Sequence, residues 1–374
     1  MKHLKLAGLA LGASLALTTA GWAQDITVAV AGPMTGSNAA FGTQMKNGAE
    51  QFLVDFNAGP GLMGKKLKLE VGDDACDPKQ AVSVAEKLSS AKIPFVAGHF
   101  CSGSSIPSSK VYAENNVLQI TPASTNPLLT ENKLANVFRT CGRDDQQGLV
   151  AGDYISKNFK GKNVAILHDK STYGKGLADE TKKAINKAGL KEKMFEAYNA
   201  EDKDFTAIVT KMKGQKIDAV FLGGYHQAGG LMMRQMRDQG LKTVMVGGDS
   251  LATKEFAAIA GASAEGTLFT FGPDPRNKAT AKAVVDKFKA KNIDPEGYTL
   301  YTYAAFQVWK QAAEKAKTTD AKKVAGVMKQ GSYDTVLGKL SFDAKGDITI
   351  LDYVVYKWDA KGNYAELPQG KPGS

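Results

Sequence analysis

Three stretches combine residue types that could do chemistry at short spacing. Gly59-Pro-Gly-Leu-Met-Gly64-Lys65-Lys66 approaches a phosphate-binding loop, but Lys66 stands where a hydroxyl would have to ligate magnesium. It also follows a helical pattern and leads into a strand, the reverse of the order such a loop needs, so it reads as a helix-to-strand turn. His99-Phe-Cys101 supplies two metal-ligating types without a second pair, and His99, His168 and His226 lack helical ligand spacing. With three cysteines in all, a four-cysteine zinc or iron-sulfur site is excluded. Ser102 and Ser104 lie in a Gly-containing loop, yet Gly-x-Ser-x-Gly is absent and nothing marks a nearby base. No Gly-x-Gly-x-x-Gly follows the first strand pattern. These residues name no catalytic group, no metal and no cofactor.

Binding chemistry is better represented. Phe100-Cys-Ser-Gly-Ser-Ser105 follows an apolar strand and opens a helix, offering hydroxyls and unpaired N–H groups at a positive helix end, which suits a carboxylate. Thr121-Pro-Ala-Ser-Thr125 follows the next strand and adds donors; simple N-capping by Ser and Thr is the competing reading. Later strands deliver Tyr173, Tyr225 and Asp249 from equivalent loops. Carboxylate receptors on one side and an acid on the other suit a zwitterion, because an ammonium taken from water needs a negative partner.

The elements that must position these loops alternate. Short Val- and Ile-rich runs, Ile26 to Val30, Leu67 to Val71 and Phe95 to Ala97, are separated by helical patterns over Phe41 to Asn57 and Lys79 to Leu88. The rhythm restarts after Arg143, with helices over Gly148 to Asn158, Gly174 to Ala188 and Gly230 to Gln239, and strands at Val164 to Leu167, Ala219 to Leu222 and Val244 to Val246. Helices over Lys278 to Lys291 and Tyr298 to Lys317 and a late alternating segment, Tyr353 to Trp358, complete the pattern. Two such series predict an α/β protein with two doubly wound lobes, in keeping with a chain of 374 residues that is too long for one core. The chain is 43 % hydrophobic and 23 % charged, and its 48 basic residues are scattered among 38 acidic ones. That mixture excludes disorder and gives no basic patch for nucleic acid. Lys2 and Lys5, the apolar run from Leu6 to Leu17 and small residues up to Ala23 form a secretory signal, too short to span a bilayer.

These motifs together resemble one family. Gly72-Asp-Asp-Ala-Cys-Asp-Pro-Lys-Gln80, Gly98-His-Phe-Cys-Ser102, Thr121-Pro-Ala-Ser-Thr-Asn-Pro127, His168-Asp-Lys-Ser-Thr-Tyr-Gly174 and Gly223-Gly-Tyr225 are similar to segments of the branched-chain amino acid (Leu/Ile/Val) binding proteins of bacterial ABC importers. These are type I periplasmic binding proteins, and the likeness spans almost the whole mature chain. It implies two Rossmann-like lobes joined by three hinge crossings, residues 24–143 with 273–350 and residues 144–272 with 351–374, preceded by a signal peptide over residues 1–23. It also implies a ligand set of Ser102, Ala123, Ser124 and Thr125 for the carboxylate end, Tyr173, Tyr225 and Asp249 from the second lobe, and Phe41 and Tyr298 around the side chain. Cys76 and Cys101 match the family's disulfide pair, which leaves Cys141 free.

The expected protein is a monomeric periplasmic receptor, not an enzyme, that closes on leucine, isoleucine or valine and passes it to a membrane-embedded permease. Two departures, Asp249 where leucine-binding members carry a longer acid and the Cys141-Gly-Arg-Asp-Asp-Gln-Gln147 segment, keep a small neutral or non-α amino acid or an aromatic acid open as ligand. A secreted hydrolase or transferase on a two-lobed scaffold is the alternative of a different class. Export is expected to leave a mature chain that begins near Gln24. Intact mass of the protein recovered from the periplasm checks this, and retention of Met1 to Ala23 would refute it.

Overall fold

The computed structural model describes residues 25–350 and 352–368, and the expected signal segment lies outside them. The first half builds β1 (Ile26–Gly32), α1 (Ala39–Asn57), β2 (Leu67–Asp73), α2 (Pro78–Ser90), β3 (Phe95–Gly98), α3 (Ser102–Glu114), β4 (Leu118–Thr121), α4 (Leu128–Glu131) and β5 (Val137–Arg139). The five strands pair in parallel in the order β2-β1-β3-β4-β5. β1, β3 and β4 are apolar and buried on both faces, as a sheet covered by helices requires. Local signals set the helix starts: Asp77 caps α2 by accepting from the Gln80 N–H at 2.8 Å, with Pro78 at the first helical position.

The second half repeats the plan with α5 (Asp144–Asn158), β6 (Val164–His168), α6 (Thr172–Lys187), β7 (Met194–Ala197), α7 (Thr206–Gly214), β8 (Ala219–Gly223), α8 (His226–Asp238), β9 (Val244–Gly247), α9 (Lys254–Ala260) and β10 (Leu268–Phe271). Its strands run β7-β6-β8-β9-β10, the same order as the first sheet. The chain then returns to the first lobe through α10 (Lys282–Ala290), α11 (Thr299–Ala316), α12 (Ala321–Met328) and a hairpin of β11 (Ser332–Thr335) and β12 (Gly338–Ser341). α11 lies on α1, with Phe306 and Trp309 packed against Phe95 of β3. Finally β13 (Val354–Trp358) and β14 (Tyr364–Glu366) extend the second sheet as antiparallel edge strands beside β10.

Several elements depart from the sequence pattern. α5 and α8 start about one turn before their expected glycines, at Asp144 and His226. In α5 the polar first turn, Asp144-Asp145-Gln146-Gln147, complements the positive helix end. The expected helix from Lys278 is shorter: two 3-10 turns, Pro275–Asn277 and Ala279–Ala281, precede α10 because Lys278 adopts an extended conformation. β7, α7, β10 and α12 were not legible from periodicity, being short and flanked by polar residues.

In both lobes the strand order reverses beside the first strand, and ligands of open α/β sheets sit at such switch points beyond the carboxyl ends of the strands. An ion cluster holds these ends in the first lobe. Arg139, fully buried, has Nε 2.6 Å from Asp347 Oδ1 and donates through its other nitrogens to the carbonyls of Ser124 and Asn126 and the hydroxyl of Thr130. Arg143 donates to the other oxygen of Asp347 at 2.6 Å. The cluster thus ties the loop after β4, the segment leaving the first sheet and the turn after β12. Removing one partner of a buried pair costs about 3–5 kcal/mol. Asp347→Ala is expected to lower the unfolding free energy by about that amount in urea denaturation; an unchanged midpoint would show that Arg139 does not depend on the carboxylate.

Candidate functional site

Ser102 is the first residue of α3; the N–H groups of Ser104 and Ser105 donate back to the Cys101 carbonyl, which leaves those of Ser102 and Gly103 outside the helix's own hydrogen-bond ladder. Three links fix its loop. Cys76 and Cys101 form a disulfide, with Cα atoms 5.6 Å apart. His99, wholly buried, sits between Asp74 (Nδ1 to Oδ2, 2.6 Å) and the Tyr112 hydroxyl (2.9 Å). This is a structural part for the motif that looked like half a metal site. Ser124 Oγ pairs with Ser105 Oγ at 2.6 Å and donates to the Phe100 carbonyl, and Thr121 Oγ1 donates to the His99 carbonyl at 2.7 Å. The two donor loops are therefore zipped together. Ser124 spends its hydroxyl on that zip, whereas Thr125 Oγ1 is buried without a partner.

From the second lobe, Asp249 opens a short turn after β9 and is 3 % exposed. Its Oδ1 accepts from Gln147 Nε2 and from the Tyr173 hydroxyl, each at 2.8 Å, and its Oδ2 accepts from the Tyr298 hydroxyl. Gly248 makes this possible: a Cβ there would stand 2.5 Å from both the Tyr173 hydroxyl and Leu177 Cδ2. Burial pushes the Asp249 carboxyl above the usual range, opposed by the hydrogen bonds from Tyr298, Gln147 and Tyr173.

Sequence reasoning found one acid here, and the structure holds two. Asp144, at the start of α5, is fully buried, its N–H donates to the Thr125 carbonyl at 2.9 Å, and neither carboxylate oxygen has a hydrogen-bond partner. Burial, and then the charge of Asp249, drive its carboxyl well above the usual range, opposed by the nearby Thr125 hydroxyl and the charge of Arg139. Gln147, one turn later, was missed with it; the early acidic turn of α5 was the available signal.

A nearly closed cavity is lined by Phe100, Ser102, Ala123, Tyr173, Tyr225, Asp249 and Ser250. It brings together five of the expected residues: Ser102, Ala123, Tyr173, Tyr225 and Asp249. Phe41 stands one layer behind, stacked on Phe100 with centroids 4.3 Å apart. Tyr298 reaches the site through its hydroxyl on Asp249 and is otherwise wedged against Phe100 and Phe271. The lobes meet across the cavity: Asn126 Nδ2 donates to the Thr172 carbonyl at 2.8 Å, and the Tyr225 ring, packed on Tyr173 of its own lobe at 5.2 Å, lies 6.1 Å from Phe100. Among the described residues no helix is long and apolar enough to cross a membrane.

The chain matches the family model described as periplasmic binding protein over residues 25–363. The Leu/Ile/Val-binding protein homolog 1 of Brucella suis is 48 % identical over 99 % of this chain and 100 % of its own. An amino acid binding protein of Pseudomonas aeruginosa is 49 % identical over 96 % of this chain and 97 % of its own. A leucine binding protein from Thermotoga maritima superposes with a TM-score of 0.85 at 28 % identity, over 92 % of this chain and 98 % of that one. The substrate binding protein of a branched-chain amino acid transporter from Streptococcus pneumoniae, solved with isoleucine, gives 0.83 at 28 % identity, over 91 % and 98 %.

A carboxyl whose folded pKa is raised stabilises the fold below its unfolded pKa, and that contribution is lost as pH rises through the folded value. For Asp144 and Asp249 the loss begins above about pH 4. Asp144→Asn is expected to raise the thermal midpoint of the ligand-free protein by about 2 °C or more at pH 8 and by less at pH 5. Scans of both proteins at both pH values check this; a uniform shift would mean that the acid is ionised throughout.

Proposed function

This chain belongs to the periplasmic binding protein family, and from that premise we propose that it is an exported receptor that closes on a free L-amino acid and delivers it to a membrane-embedded ABC permease. Leucine, isoleucine or valine are the first ligands to consider, on the strength of relatives named Leu/Ile/Val-binding. It binds and releases its ligand unchanged and acts as a monomer. Residues 24–143 with 273–350 form one lobe and residues 144–272 with 351–374 the other, hinged where the chain passes between the sheets.

The observation that carries the reading is the fully buried Asp144 with both oxygens unpartnered, beside the saturated carboxylate of Asp249. The cation that acts on Asp144, Arg139, is already paired with Asp347, and an α-ammonium supplies a further one to the two acids. Across the cavity, the first turn of α3, the Ser102 hydroxyl and the unpartnered Thr125 hydroxyl offer donors to the α-carboxylate. Tyr173 and Tyr225 arrive from the second lobe, so they contact the ligand only when the cleft is closed. A ligand that gains contacts in the closed state alone shifts the equilibrium toward it.

One observation favours a second reading of the ligand's side chain. The cavity is nearly closed, with about 10 Å³ of free room, enough for one water molecule at most. Phe100, backed by Phe41, forms part of its wall, and Tyr298 holds Asp249 beside it. A small neutral or non-α amino acid needs less displacement of these rings than a branched one does.

A thermal-shift screen over L-leucine, L-alanine, β-alanine and 4-aminobutyrate, followed by titration calorimetry, decides between the two. With the best ligand, Asp249→Asn and Asp144→Asn are each expected to weaken binding by about two to four decades, the cost of breaking a buried charge pair. Ser102→Ala removes one of several donors and is expected to cost nearer 1 kcal/mol. Wild-type affinity in Asp249→Asn would remove the acid from the ammonium site, and binding of a carboxylate without an amino group would make an aromatic acid the better ligand.

A further inference from the structure

A second and larger space lies at the hinge, about 270 Å³ and partly open to solvent. All three passages between the sheets line it, at Thr140 to Gly142, at Phe271 to Pro273 and at Asp352 and Tyr353. Four aromatic rings form its wall: Phe271 lies 5.3 Å from Tyr298 and 5.5 Å from Tyr301, and Tyr353 closes the far side. Leu337 and Leu340 complete the apolar surface.

The polar groups are mostly donors. The hydroxyls of Tyr301 and Tyr353 lie against the backbone of Gly272 and Gly142, and neither makes a hydrogen bond among the described residues. Lys278 and Lys339 stand on the rim; Lys278 donates to the Leu337 carbonyl at 2.9 Å and keeps further N–H groups, while Lys339 has an exposed partner in Asp334 at 3.0 Å. Asp352 is the one opposing charge on the rim, and Asp249 on the floor is already taken by Gln147, Tyr173 and Tyr298. An apolar ring bearing a carboxylate satisfies this set, with its ring among the aromatic wall and its anion toward the tyrosine hydroxyls and the rim lysines.

We infer that the hinge cavity is an effector site for a small aromatic carboxylate, and that its occupation favours the closed arrangement of the lobes. The walls come from both lobes, Phe271 from the second and Tyr301 and Leu337 from the first, so the shape of the cavity depends on the angle between them. Tyr298 and Asp249 line the hinge cavity, and Asp249 lines the front cavity as well. A molecule that fits the shape described here binds this arrangement better than an open one, and by linkage it tightens ligand binding in front. The coupling rests on the amino-acid reading above, whereas the hinge site itself does not.

Phenylacetate is the probe, titrated into the mature protein by calorimetry, alone and with the amino acid that scores best in the screen. Ile350→Trp places a ring at the exposed rim of the hinge cavity, away from the cleft. It is expected to weaken phenylacetate at least about tenfold, or 1.4 kcal/mol, while leaving amino-acid affinity in the absence of phenylacetate unchanged. Lys278→Met is expected to weaken phenylacetate but not benzyl alcohol. In the wild type, saturating phenylacetate should tighten the amino acid by roughly 5- to 150-fold, with the same factor in reverse. No phenylacetate binding, wild-type binding in Ile350→Trp, or competition in place of mutual tightening would overturn the inference; competition would put the aromatic acid in the front cleft. If no amino acid binds while Ile350→Trp still abolishes phenylacetate binding, the amino-acid reading fails and the hinge site stands.

Discussion

A carboxylate removed from water must find donors or a cation, and the second lobe is arranged around that need at Asp249. Gln147 reaches it from α5, Tyr173 from α6 and Tyr298 from the opposite lobe. The helices that carry Gln147 and Tyr173 can converge because they pack closely: a Cβ on Gly148 would come within 2.9 Å of the backbone of Glu180 and Thr181 on α6. Asp144 rides on the same helix one turn earlier and receives no such donors. The lobe thus satisfies one buried acid and leaves the other in deficit, and an unpaired buried group is costly in low dielectric. The first lobe answers in the opposite sense, with helix N–H groups and hydroxyls and no acid on the cavity wall.

Much of this was legible in the residues. Alternating Val- and Ile-rich runs and helical patterns carry the two parallel sheets, because strands covered on both faces must be apolar throughout. Loops after strand ends, rich in Ser, Thr and Gly in the first half and presenting Tyr173, Tyr225 and Asp249 in the second, supply most of the residues that line the cavity between the lobes. The return of α10, α11 and α12 to the first lobe was not carried by periodicity and came only from the family likeness. A helix's apolar face states that it must be covered, not by which sheet. β14 escaped for a related reason: an edge strand pairs with a partner that no local pattern identifies, and although the alternation over Tyr353 to Trp358 marked β13, nothing in it named β10 as its neighbour.

Asp144 and Gln147 show where sequence reasoning fails at a site. Polar residues at a helix start have an ordinary explanation, favourable interaction with the helix dipole, and that explanation is sufficient until the turn is seen to be buried. The same ambiguity attended Ser102, Ser124 and Thr125. Structure divides them: Ser124 is a fastener between loops, Ser102 faces the cavity, and the Thr125 hydroxyl is buried and unspent. His99 likewise fastens, through Asp74 and Tyr112. Unsatisfied hydrogen-bonding capacity, more than residue type, separates the groups available to a ligand from those holding the loops.

That distinction also orders the binding event. Asp249, which lines the cavity, already accepts three hydrogen bonds that hold its carboxylate in position. On the proposed reading an arriving ammonium meets Asp249 at the cavity wall, and the buried carboxyl of Asp144, which does not line the cavity, adds to the negative field there. Tyr298 links the acid of one lobe to the other even without ligand, so part of the closed interface is made by the protein alone. Ligand need then supply only the remaining difference in free energy between open and closed states, and a site that leaves one acid in deficit reserves that difference for a molecule that carries positive charge to it.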